Sequence, residues 1–145
     1  MNRELIIYLD TCCYSRLFDV SDQIDMIKET GRIRYVIRNR FSGKYIIVGS
    51  GIVTHEISQN PDNKERRIIE RLYNTIIRDE ARMTEQSATR AQELQSKGLK
   101  VMDSLHLAAA EVIGADYLLT VDKEFLKKCS RPNFTTVNVI NPINF

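Results

Sequence analysis

The chain has 145 residues, 43% of them hydrophobic, which suits one domain of ordinary size with a single buried core. A formal net charge of +2 is too small to announce nucleic-acid binding, so any such contact must come from local clusters of basic residues. No apolar run approaches the roughly 20 residues that span a bilayer, and the stretch after Arg3 is too short for a signal peptide, so a soluble, cytoplasmic protein without membrane association is expected.

Leu5 to Leu9 is an apolar, strand-like run that stops directly at Asp10, with a short helical segment after Thr11. Cys12 and Cys13 are adjacent, Cys129 is distant, and no spacing suggests structural zinc. Reduced thiols follow, and small apolar packing is the commoner role for such residues. Ser21 or Asp22 can cap a helix running toward Arg40, its apolar face made by Ile24, Ile27, Ile33 and Val36 across Gly31. Arg32, Arg34, Arg38, Arg40 and Lys44, interleaved with Tyr35, Phe41 and Tyr45, are the densest basic run. They read equally as a solvated helix face or as a phosphate-tracking surface with stacking rings.

Lys44 to Val48 predicts a second strand, broken by Gly49-Ser50-Gly51 before a helix that carries Glu56. Asn60-Pro61-Asp62 stops and restarts the chain. Ile68, Ile69, Leu72, Tyr73, Ile76 and Ile77 then make a helical stripe, with Lys64, Arg66, Arg67, Arg71 and Arg78 turned away from it. Thr84 to Lys97 predicts a further helix ending near Gly98. In the next helix Leu105, Ala108, Ala109 and Val112 face inward, Asp103 stands at the entrance, and Gly114 ends it. Tyr117 to Val121 is a buried strand stopping at Asp122, and Phe125 and Leu126 start a short helix. Thr135 to Ile140 alternates as a last strand. The alternation predicts an α/β fold: a three-layer sandwich with a central, largely parallel sheet, in one domain over residues 1–145.

Each acid has a bland explanation. Asp10, Asp103 and Asp122 stand where helix N-caps belong, and Glu56 alone would pass for a surface residue. Taken together they fit no solvent-facing period, whereas convergence at the carboxyl edge of one parallel sheet accounts for all of them. Crowded carboxylates repel unless a cation neutralises them, and all-oxygen ligation favours Mg²⁺ or Mn²⁺ over zinc. Phosphodiester hydrolysis uses such a centre directly and needs no side-chain nucleophile. His55 and His106 form no metal-binding helical pair and read as packing or hydrogen-bonding residues.

Leu9-Asp10-Thr11, Thr54-His55-Glu56-Ile57, Asp103-Ser104-Leu105-His106-Leu107-Ala108-Ala109-Ala110 and Thr120-Val121-Asp122 with Phe125 resemble, in order and over nearly the whole chain, the PIN-domain nucleases. The compact length resembles the VapC-like toxins of toxin–antitoxin pairs. The resemblance implies a Mg²⁺- or Mn²⁺-dependent ribonuclease with Asp10, Glu56, Asp103 and Asp122 as metal-binding and catalytic acids and Thr120 as a supporting polar residue. It implies an RNA substrate and a cognate antitoxin, which would inhibit by placing a basic side chain, Arg above all, at the carboxylates; it leaves room for a homodimer. One departure is Cys12, where the family often has Asn, so a hydrogen bond made there falls to Thr11 or Ser15 or is absent. Two other classes compete: a PIN-like module that binds RNA or protein without cutting, and an aspartyl-phosphate phosphohydrolase. Asp10-Thr11-Cys12 lacks the second aspartate that the phosphohydrolase would need.

Overall fold

Short apolar runs that end in Asp, Ser or Gly become strands, and the amphipathic segments between them become the crossover helices that parallel pairing requires. The computed structural model describes residues 3–145, which form a five-stranded sheet with seven α-helices. The strands are β1 (Leu5–Leu9), β2 (Tyr45–Ser50), β3 (Asp79–Ala81), β4 (Tyr117–Leu119) and β5 (Asn138–Ile140). Their spatial order is β3-β2-β1-β4-β5, and every pairing is parallel. Helices α1 (Thr11–Arg16) and α2 (Ile24–Arg38) link β1 to β2, and α3 (Gly51–Ser58) and α4 (Asn63–Ile76) link β2 to β3. Helices α5 (Glu85–Ser96) and α6 (Val101–Val112) lead to β4, and α7 (Lys123–Cys129) leads to β5. No described helix is long and apolar enough to cross a membrane.

The chain moves from β1 to β2 and β3 on one side, then crosses back to β4 and β5 on the other. The order therefore reverses between β1 and β4, and the strand ends there leave the crevice in which ligands of open parallel sheets bind. The central strands are buried: Ile7, Tyr8, Leu9, Ile47, Leu118 and Leu119 have almost no exposed surface. Each such side chain stabilises the fold by about 1.5–3 kcal/mol relative to exposure.

Several elements depart from the pattern expected from sequence. Gly49 and Ser50 continue β2 instead of breaking it, because they pair with Glu80 and Ala81 of β3, and the glycine makes room for the Tyr73 ring of α4: a Cβ there would sit 2.3 Å from the Tyr73 hydroxyl. Strand β3 is a three-residue edge strand of Asp-Glu-Ala, with Asp79 and Glu80 exposed, and has no apolar signature. In α2 only the second half of the expected face is covered. Ile33 and Val36 are buried, whereas Ile24 and Ile27 remain exposed. Helix α6 is buried continuously from His106 to Ala110, since three successive alanines let it approach both α5 and the sheet; Val112 faces outward. The last strand is shorter than its β-branched run, because Thr135 turns aside to donate to Glu111 at 2.7 Å. Gly114 adopts a φ of +74° at the end of α6, the left-handed conformation that ends helices.

Candidate metal centre

Asp10 follows β1 and stands at the N-cap of α1. Its amide donates to the Leu119 carbonyl at 3.0 Å, which fixes it against the end of β4, while its side chain makes no capping bond and is left for other work. Thr120, fully buried just past β4, donates its hydroxyl to Asp10 Oδ2 at 2.8 Å. The Cys12 thiol donates to the same oxygen at 3.3 Å. Thus Cys12 lies at the site, while Cys13 packs in the core and bonds the Leu119 carbonyl at 3.2 Å.

Glu56 comes from α3, which begins where it does because the Ser50 hydroxyl caps it, accepting from the Val53 amide. The Thr11 hydroxyl donates to Glu56 Oε1 at 2.7 Å, and His106 Nε2 forms a close hydrogen bond with the same oxygen. His106 is also 3.4 Å from Asp10 Oδ1. Ligand atoms of Asp10, Glu56 and His106 lie within 4.8 Å of one another, the one such group of acidic, histidine or cysteine residues among the described residues.

Asp103 and Asp122 stand beside this group, outside its ligating distance. Asp103 lies in the first turn of α6, half-buried. Burial, and then the charges of Asp10 and Asp122, push its carboxyl up to about 6, with His106 and Lys100 pulling the other way. Asp122 does what its sequence position also allowed: it caps α7, accepting from the amides of Glu124 at 3.0 Å and Phe125 at 3.2 Å. Burial raises Glu56, but the hydrogen bonds from His106 and Thr11 outweigh it and hold the carboxyl below its ordinary range. For His106, burial acts to lower the pKa, and the Glu56 hydrogen bond with the charges of Asp10, Glu56 and Asp103 overcomes it, so the imidazole is raised. Among the described residues no Lys or Arg forms an ion pair with Asp10, Glu56, Asp103 or Asp122.

His106 is the participant that the sequence reading left out of the site. As a hydrogen-bonding histidine it fits the expectation, but its partners are the carboxylates themselves. The signal was its spacing: three residues after Asp103 on one helix, it projects from the same face. Its other nitrogen, Nδ1, is 2.8 Å from the Tyr8 hydroxyl of β1, which is 2.6 Å from the Ser50 hydroxyl.

The donor set suits a hard divalent cation. Asp10 and Glu56 each keep one carboxylate oxygen without a protein hydrogen-bond donor, the Asp103 carboxylate has none on either oxygen among the described residues, and their mutual repulsion calls for positive charge.

A family model for the PIN domain matches residues 7–130. No curated protein matches the chain in sequence. Among solved structures, the chain is similar to one in the crystal structure of VapBC2 from Rickettsia felis bound to a DNA fragment from their promoter, with a TM-score of 0.59 and 14% identity over 93% of this chain and 98% of that one. It is also similar to a chain of FitAcB from Neisseria gonorrhoeae, with a TM-score of 0.57 and 16% identity over 96% and 99%. A chain of VapBC-1 from nontypeable Haemophilus influenzae gives a TM-score of 0.57 and 17% identity over 95% and 98%. At these identities the likeness is one of fold.

Proposed function

The chain belongs to the PIN-domain family, and from that premise we propose that it is a divalent-metal-dependent endoribonuclease whose centre is built on Asp10, Glu56, Asp103 and Asp122, with Mg²⁺ or Mn²⁺ as the ion. The observation that carries the reading is the convergence of Asp10 and Glu56, from distant parts of the chain, within ligating distance where the strand order reverses, with the half-buried Asp103 charge in the same field. Asp10 and Glu56 would hold the ion, Asp103 would join them from the first turn of α6, and Asp122 would add charge from the α7 cap. Thr120 keeps Asp10 turned toward the centre. The bound ion would lower the pKa of the attacking water and stabilise the leaving oxygen. The test is cleavage of a single-stranded RNA with Mg²⁺ or Mn²⁺ and with excess EDTA. Undiminished cleavage in EDTA would refute the reading, and Mn²⁺ binding without cleavage would favour the module that binds but does not cut.

We further infer that the protein is the toxin of a toxin–antitoxin pair, inhibited by a partner that sets an Arg side chain against Asp10 or Asp103, where a guanidinium pairs bidentately with a carboxylate. Exposed Val20, Ile24 and Ile27, in the chain that follows Asp10, offer apolar anchors for that partner. Its affinity should fall when Mn²⁺ is added and when Asp10 is changed to Ala; unchanged affinity in both cases would place its binding elsewhere.

A further inference from the structure

The metal-centre reading leaves unexplained why a tyrosine, a serine and a histidine, all with no exposed surface, line up behind one glutamate. With the imidazole neutral, the hydrogen-bond directions along this line follow from what each atom can do. A carboxylate oxygen only accepts, so the close contact between Glu56 Oε1 and His106 Nε2 requires the proton on Nε2. The neutral ring then accepts at Nδ1, so the Tyr8 hydroxyl, 2.8 Å away, donates there. Tyr8 oxygen is left to accept from the Ser50 hydroxyl at 2.6 Å, and Ser50 oxygen accepts from the Val53 amide at 3.4 Å. Each hydrogen is used once. The opposite tautomer would set an unprotonated Nε2 against a carboxylate oxygen in a place where water cannot repair the mismatch. Tyr8 also meets the imidazole edge-on, with ring centroids 5.7 Å apart at 72°.

The line ends on one particular oxygen. Glu56 Oε1 receives both His106 and the Thr11 hydroxyl at 2.7 Å, while Oε2 receives no protein donor among the described residues. Asp10 is arranged in the same way, with Oδ2 taken by Thr120 and Cys12 and Oδ1 left on the side of His106. We propose that Thr11 and His106, the latter held in orientation by Tyr8 and Ser50, are positioning residues that make Glu56 a one-oxygen ligand, occupying Oε1 and leaving Oε2 for the cation. This deepens the metal-centre reading and rests on it. It gives the departure at Cys12 a counterpart, since the neighbouring Thr11 supplies a hydrogen bond to Glu56 while Cys12 supplies one to Asp10.

The test uses the full chain and two measurements besides cleavage. The first is Mn²⁺ affinity, read from the spin-resonance signal of free Mn²⁺, for wild type, Thr11→Val, Tyr8→Phe, His106→Gln and His106→Asn, each checked for native melting. Loss of a partner that orients a metal ligand costs about tenfold in affinity. That loss is expected for Thr11→Val and His106→Asn and, more weakly, for Tyr8→Phe. His106→Gln, whose amide can reach the position of Nε2, should retain most of the affinity, a rescue that mere space-filling does not predict. The second is the ¹⁵N spectrum of the imidazoles with Mg²⁺, in which the chain's 2 histidines are separated by comparison with His55→Asn. His106 should show protonated Nε2 and bare Nδ1, and Tyr8→Phe should shift the Nδ1 resonance by removing its hydrogen bond. Equal Mn²⁺ affinity across all variants, or a proton on Nδ1 in the wild type, would overturn the proposal while leaving the metal centre standing. A wild-type chain that binds no Mn²⁺ would remove the metal-centre reading and this proposal together.

Discussion

Two regions carry the chain's main concentrations of charge, and they are organised in opposite ways. The acids at the carboxyl ends of β1 and β4 and on α3 and α6 are scattered in sequence and meet in space. The basic run from Arg32 to Lys44 is close together in sequence and forms no ion pair among the described residues. It lies around the far end of α2 and the start of β2, where the Leu5 amide bonds the Lys44 carbonyl, so it sits at the opposite edge of the sheet from the carboxylates. Its arginines are partly occupied. Arg32 bonds the Phe145 carbonyl and lies 4.5 Å from the Tyr35 ring centroid; Arg40 donates to the Ile37 carbonyl at 2.8 Å and lies 4.4 Å from the Phe41 ring centroid. Density along a sequence thus measures little about a site, whereas the topology that gathers strand ends measures a great deal.

The comparison breaks first at Asp10. Asp10→Asn should lower RNA cleavage by about a hundredfold or more while the protein still melts cooperatively, since the change removes a ligand and relieves repulsion. A fully active Asp10→Asn protein would take the function away from this edge. Asp103 offers a second test, of stability in EDTA. Its folded carboxyl stands at about 6, above its ordinary value of 3.8, so the folded state is the better proton acceptor. The destabilisation caused by its charge is full above pH 6 and disappears as pH falls toward 4. Asp103→Asn should therefore stabilise the metal-free protein at pH 8 by about 1 kcal/mol, after allowance for solvent screening, with the gain gone near pH 4. A gain equal at both pH values would contradict this account of the charge.

The thiols sharpen the contrast on a smaller scale. Cys13→Ser puts a hydroxyl into the core and should cost about 1 kcal/mol of stability with little change in turnover per folded molecule. Cys12→Ser should leave melting nearly unchanged and register in Mn²⁺ affinity instead. Smallest of all should be Arg34→Ala and Arg38→Ala at the basic end: kcat unchanged, melting within about 0.5 kcal/mol, and any effect confined to RNA affinity and its salt dependence. A large loss of kcat from either would show that the two edges act together.

The sheet was legible where residues had one reason to be where they are. The runs at β1, β2 and β4 needed burial on both faces, and the acids that follow β1 and β4 marked the carboxyl edge. Strand β3 was not legible, because a triplet with two exposed acids and one buried alanine pairs with β2 only once α4 has carried the chain there, the Arg78 amide bonding the Ile47 carbonyl at 2.9 Å. Asp122 supported two readings, and its capping bonds are present in the fold. The spacing of His106 from Asp103 was legible, but its partners were not, since Tyr8 and Glu56 come from β1 and α3.

A last consequence follows from Gly49. The Tyr73 ring occupies the place of the missing side chain, and the Tyr73 hydroxyl donates to the Ser50 carbonyl at 3.3 Å. Ser50 in turn opens α3 with its own oxygen and meets Tyr8. One added methyl at Gly49 would have to displace an aromatic ring, and the disturbance would run along covalent and hydrogen-bonded neighbours to Glu56 without touching a single acid. The centre is therefore aligned by a missing side chain as much as by its charges, and a screen confined to polar residues would pass over a position where that alignment can be lost.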